Sequence, residues 1–222
     1  MGRLGLTKRK ERRVLTWRGW LVVLTGLVLA AVIAVRMMHP FLATSDPRGG
    51  ELLVVEGWLP DDALAIALRE FRMGGYRLLV TMGGPVPLGY HYSGEKTYAA
   101  LAATTLGLLG MDAARLVVVP AASATRDRTY MAAVALKAWL DSSSAMTGNE
   151  PVRTITVCSL GPHARRTRLL YERALGRSVA IGIIPLPDAR YDAAAWWRTS
   201  DGVRIVTGEF IAYLYARFLF AR

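Results

Sequence analysis

The chain is poor in the residues that build covalent and metal-bound frameworks. It has one cysteine and three histidines in 222 residues. A lone Cys158 excludes an intrachain disulfide framework and a cysteine-rich zinc module. It suits a reducing compartment, and equally an exported domain that uses no disulfides. His39, His91 and His163 show no metal-ligand spacing, so no metal site is expected. There is no GxGxxG run and no Walker A loop, the two glycine signatures of phosphate cradles. Internal repeats and low-complexity tracts are also missing. Charged residues make up only 20% against 53% apolar ones, which excludes a disordered or fibrous chain.

What is present begins with an uneven charge. The net charge is +11, but residues 1–20 hold seven basic side chains against Glu11 alone, a net +6. The remainder carries only +5, so the basicity is mostly a tail, and no nucleic acid partner is expected. Behind the tail, residues 20–35 contain no charge at all. A run of about 16–19 residues nearly spans a hydrocarbon core of ~30 Å, with Arg18 and Arg36 snorkelling and Trp17 and Trp20 at the interface. A cleavable signal peptide is the rival, with residues 32–34 as its cleavage site. The length of the run and Arg36 beyond it favour an uncleaved anchor over 20–38, after a basic tail at 1–19. Only Arg36 and Arg48 follow closely, so the positive-inside rule keeps the N-terminus in the cytoplasm and exports the rest. The expected location is the inner (plasma) membrane, single-pass, with the bilayer as one partner. Residues 39–50 read as a linker.

From residue 51 onward apolar runs alternate with amphipathic stretches. Strands are predicted at 52–56, 77–82, 116–120, 154–159 and 179–184. Helices are predicted at 61–73, 94–109 with Ser93 as cap, 128–140, 162–175 and 203–220. This alternation defines an α/β fold, a Rossmann-like three-layer sandwich with a mainly parallel sheet of about five strands, over 51–222. Ligands in such sheets sit beyond the carboxyl ends of the strands.

Those ends supply the candidates. Gly83 and Gly84 follow the second strand and let backbone approach a ligand or simply turn. The stretch from Ser159 to Arg168 ends a strand and opens a helix, with His163 in its first turn and Arg166 on the same face. Imidazole and guanidinium at a helix N-terminus suit phosphate or carboxylate. Arg126, Arg128 and Thr129 stand at the start of another helix and add positive field or caps. Glu56, Glu95 and Glu209 are the candidate acids or bases, although Glu95 also suits a helix dipole and Glu209 a surface position. Trp196 and Trp197 suit core packing or membrane contact better than sugar stacking.

In order and spacing, five pieces resemble the YdcF/SanA/ElyC family, a bacterial envelope domain of unknown function. They are the strand with Gly83-Gly84, Ser93-Gly-Glu95, Arg128-Thr-Tyr130, Ser159 through His163 to Arg166, and Glu209 to Tyr213. The resemblance covers about 51–219. Its glycine turn maps to Gly83 and Gly84, its acid to Glu95, its Thr to Thr129, its His to His163 and its Arg to Arg166. The sequence departs from the pattern at Arg128, Met131 and Ala132, where the family often has Asn, Glu and Asn.

The resemblance implies envelope biogenesis. The expected function is binding or processing of a phosphorylated wall or polysaccharide precursor, polyprenyl-linked ones included, with His163 and Glu95 as catalytic groups. Gly83, Gly84, Arg126, Arg128, Thr129, Ser159 and Arg166 would form the ligand site. If the protein is an enzyme, it is a transferase or hydrolase. Two alternatives stand beside this: a nucleotide or S-adenosylmethionine binder, and a non-catalytic envelope scaffold. The sequence names no cofactor.

Overall fold

Runs such as Leu52-Leu-Val-Val and Ile155-Thr-Val-Cys are apolar at both parities, which suits strands covered on both faces. The computed structural model describes residues 14–86, 96–142 and 151–220, and the chain divides into two units, 1–37 and 38–222. The first unit holds most of helix α1, Trp17–Leu42. At 1.5 Å per residue its 26 residues measure about 39 Å. Its most apolar window has a mean hydropathy of 2.5 and is 0% buried. Among the described residues it is the one helix long and apolar enough to cross a membrane.

In the second unit, β1 (Leu52–Glu56), β2 (Leu78–Gly83), β3 (Leu116–Pro120), β4 (Thr154–Leu160) and β5 (Ala180–Leu186) form one sheet in the order β3-β2-β1-β4-β5. Every pairing is parallel. Helices α2 (Asp61–Met73) and α3 (Tyr98–Leu108) cover one face, where Leu64, Leu68, Phe71 and Leu106 pack on Leu53, Val55 and Leu79. Helices α4 (Arg128–Ser142) and α5 (Ala164–Leu175) cover the other, where Leu136, Tyr171 and Leu175 meet Leu52, Val54, Ile155 and Val157. This is the Rossmann-like three-layer α/β sandwich, fully parallel among its five strands. The chain steps from β1 to β2 to β3, then crosses back through α4 to β4 on the free side of β1. Between β1 and β4 the winding reverses, and there the carboxyl ends of the strands leave a crevice.

Several boundaries differ from the sequence pattern. Helix α3 starts at Tyr98, because the Thr97 side chain accepts the Ala100 N–H (3.2 Å) and closes the helix there. Ser93, the expected cap, lies outside the described residues. One 3-10 turn, Gly161–His163, precedes α5, and Gly161 has φ +43. The last helix, α6 (Ser200–Leu214), begins earlier than expected because Thr199 caps it through the Gly202 N–H, and a π-helical turn, Tyr215–Leu219, continues it.

Residues 39–50, read as a linker, are helical to Leu42, which is fully buried. Beyond it Asp46 bridges antiparallel to Ile183, exchanging N–H···O bonds of 2.9 and 3.0 Å. Thr156 Oγ1 donates to the Gly49 carbonyl (2.8 Å), and Arg168 pairs with Asp46 (2.9 Å). A side chain at Gly182 would stand 2.7 Å from the Arg48 nitrogen, so glycine there permits the close passage.

Candidate functional site

Strand periodicity delivers the first two polar groups. Glu56 shares the parity of Leu52 and Val54, and Ser159 that of Ile155 and Val157, so both face the layer of α4 and α5. They are the last inward positions of neighbouring strands at the winding reversal. Glu56 is 3% exposed and Ser159 fully buried. Ser159 Oγ donates to Glu56 Oε2 at 2.5 Å, and Thr167 Oγ1, from the first turns of α5, donates to Oε1 at 3.4 Å. The two hydroxyls lie 3.2 Å apart. A buried carboxyl is tolerated when it is hydrogen-bonded in this way.

His163 lies four residues before Thr167, on the same side of the helix. Its side chain is 11% exposed, and Trp58 packs on it edge-on, with ring centroids 5.1 Å apart. Helix α6 brings Glu209 to it, since Gly202, Val206, Glu209 and Ala216 fall along one helical stripe and the first, second and last are buried. Glu209 Oε1 is 2.9 Å from His163 Nδ1. Arg166 Nε donates to Glu209 Oε2 (2.9 Å) and its Nη2 to Oε1 (3.1 Å). Burial alone would raise the Glu209 pKa, but hydrogen bonds and charge from His163 and Arg166 outweigh it and hold the carboxyl at about 2.

Arg166 Nη2 also lies 2.9 Å from Nδ1, and that nitrogen cannot donate to Glu209 and accept from Arg166 at once. Glu209 is ionised, so the Nδ1–H belongs to Glu209 and the guanidinium serves the same carboxylate. Nε2 is then the proton-accepting atom. It faces Thr129 Oγ1 at 3.5 Å and Glu56 Oε1 at 3.7 Å. A carboxylate behind one imidazole nitrogen and hydroxyl and carboxyl groups before the other give His163 the geometry of a general base or acid.

A cleft of about 200 Å³ opens beside this group. Trp58, Leu160 and Ile205 form its apolar wall, Asp188, Arg190 and Arg204 its charged rim, and His163 and Glu209 its inner end. Burial pushes the Asp188 carboxyl up, but hydrogen bonds from Arg190 of 2.6 to 3.1 Å overcome it, and its pKa falls below the ordinary range. Among the described residues no three His, Cys, Asp or Glu side chains are placed to hold a metal ion.

The structure thus brings together His163, Thr129, Arg166 and Ser159 of the predicted site, and draws in Glu56 and Glu209. Arg166 is committed to Glu209, and Ser159 is buried against Glu56 and does not line the cleft. Arg126 and Arg128 are exposed at the start of α4, next to Thr129. Gly83 serves packing, since a Cβ there would stand 2.7 Å from Tyr98 Cβ. Gly84 accepts the Tyr98 N–H through its carbonyl (2.9 Å). Glu95 lies outside the described residues. Trp196 is a core residue at 3% exposure, with Trp197 edge-on to it. Sequence reasoning missed Thr167 and the Asp188–Arg190–Arg204 rim. Thr167 was signalled by its spacing from His163, whereas Asp188 and Arg190 follow a strand that runs two residues past its predicted end and Arg204 lies on α6. The chain matches no protein-family model and no curated protein.

Proposed function

We propose that this is a membrane-anchored protein of bacterial cell-envelope biogenesis, related to the YdcF/SanA/ElyC family, that binds and processes a phosphorylated wall or polysaccharide precursor. The observation that carries the reading is the Glu209–His163 pair at the sheet's winding reversal, with Nε2 directed toward Thr129 and Glu56. His163 takes the proton from an acceptor hydroxyl or water and returns it to the leaving oxygen. Glu209 fixes the tautomer and stabilises the imidazolium. Arg166 is a positioning residue, holding Glu209. Phosphate contact falls to the N-terminus of α4 with Arg126 and Arg128, whose exposed cations flank Thr129. Helix α1 anchors the domain, its basic tail stays in the cytoplasm, and the domain lies outside it, where lipid-linked precursors are plentiful and nucleotides scarce.

The test uses the full chain in detergent, with thermal shifts read against polyprenyl phosphates, sugar phosphates and S-adenosylmethionine. The expected result is a saturable shift with a phosphorylated precursor. Combining Arg126→Ala with Arg128→Ala should abolish the shift, and His163→Gln should retain it while turnover is lost. A shift with S-adenosylmethionine alone replaces this reading with a nucleotide-type binder. No shift, with His163→Gln still complementing a deletion strain, replaces it with a scaffold. A C-terminal alkaline phosphatase fusion that is inactive would overturn the orientation.

A further inference from the structure

The C-terminal helix has two unlike sides. Its inward stripe carries Val206, Glu209 and Ala216 into the domain. Its outward stripe runs Ile211, Leu214, Tyr215, Phe218 and Leu219, a helical spacing of large apolar side chains. Ile211 is 67% exposed, Phe218 74% and Leu219 71%. Single exposed apolar residues are ordinary, but a continuous stripe along one helix face marks a contact surface. The stripe is firmly held. Arg173 donates to the carbonyls of Arg217 (3.1 Å) and Phe220 (3.2 Å), and Tyr130 packs edge-on against Phe220 with centroids 5.2 Å apart.

The same helix touches the tether. Phe41 packs edge-on against Tyr213, with ring centroids 5.6 Å apart. The Arg165 guanidinium lies 4.0 Å from the Phe41 ring centre and donates to the Phe41 carbonyl. Phe41 is six residues beyond the uncharged run that ends at Val35, about 9 Å along a helix. Helix α6 therefore touches a residue that follows the apolar run by only a few positions in the sequence.

We propose that the outward stripe of α6 and its π-helical turn is a second membrane contact, a lipid-facing surface lying in the headgroup interface. The proposal rests on the anchor reading above. An interfacial helix buries its apolar face about 5–10 Å into the headgroup boundary and ranges cations beside it. Arg173 and Arg217 occupy that place at the end of the stripe, with Arg173 5.6 Å from the Phe220 ring centre and Arg217 5.8 Å from that of Phe218. Tyr215, half exposed, has the amphipathic ring that favours headgroup depth. Together they fit an anionic bilayer surface.

The test uses the full chain in phosphatidylethanolamine–phosphatidylglycerol vesicles, with an environment-sensitive fluorophore on one introduced cysteine at a time. Native Cys158 is fully buried and stays unlabelled. Probes at Ile211→Cys and Phe218→Cys should be quenched by spin-labelled lipid and shielded from iodide. A probe at Leu108→Cys, 86% exposed at the end of α3, should behave in the opposite way. Quenching by iodide and not by lipid at 211 and 218 overturns the proposal. So does fluorescence transfer between copies at 218 without lipid quenching, which would assign the stripe to a second copy of the chain. Val28→Cys in the span separates the two readings. If lipid quenches the probe at 28 but not those at 211 and 218, the anchor stands and the second contact falls. If lipid fails to quench at 28, the anchor falls and takes the proposal with it.

Discussion

Two glutamates approach His163 from opposite sides, and they are held by opposite means. Glu56 ends a strand, is 3% exposed, and has hydroxyls for its hydrogen-bond partners, with His163 Nε2 farther off at 3.7 Å. Glu209 sits on a helix, has a side chain 20% exposed, and has an imidazole and a guanidinium for partners. Hydroxyl partners are neutral, so the Glu56 cluster can be exchanged for apolar groups as a unit. The Glu209 cluster includes a permanent cation, so removing the acid strands a charge. The difference separates the two roles: one carboxyl is part of the fold's polar floor, and the other sets the protonation pattern of the histidine.

The comparison breaks most visibly at Glu209. Glu209→Leu should destabilise the protein by about 3 kcal/mol, because Arg166 is left without its partner. Chemical denaturation should show this as a lower midpoint at unchanged slope. Ser159→Ala should cost about 1–3 kcal/mol by taking the closest hydroxyl from a buried carboxyl. Adding Glu56→Leu to Ser159→Ala should recover most of that loss, giving a coupling of about 1–2 kcal/mol in a double-mutant cycle. A smaller recovery when Arg166→Ala is added to Glu209→Leu would sharpen the contrast. Equal recovery at both would erase it.

The last test is in pH. Glu209 titrates near 2 in the folded chain against 4.5 ordinarily. Between those values the unfolded chain takes up a proton that the folded carboxylate refuses. Its contribution is therefore complete above pH 4.5 and is lost as pH falls toward 2. In Glu209→Gln the thermal midpoint should fall less steeply across that window.

Much of the sheet could be read in advance because strands buried on both faces leave short, dense apolar runs. Leu52–Glu56, buried throughout, falls where the pattern placed it, and so does Leu116–Pro120, an edge strand in which only Val119 is buried. The start of α3 did not, since Ser93 and Thr97 are both plausible caps and only the bridge between Pro85 and Thr97 selects the second. In the site, His163, Arg166 and Thr129 were marked by their places at strand ends and helix starts. Glu209 could not be assigned on local grounds, because its value depends on which stripe of α6 faces inward. Arg166 looked like an anion ligand for the same reason: its partner lies 43 residues away.

The strap between tether and sheet has a practical consequence. Residue 46 pairs with the outer edge of β5, and the backbone of Arg48 runs across Gly182. A bare parallel edge is a template for other strands, and here the segment following α1 shields it. Trimming the chain to begin at the sheet itself would remove that shield along with α1. Such a truncated form should self-associate through β5, whereas one that keeps residues 40–50 should not pair along that edge.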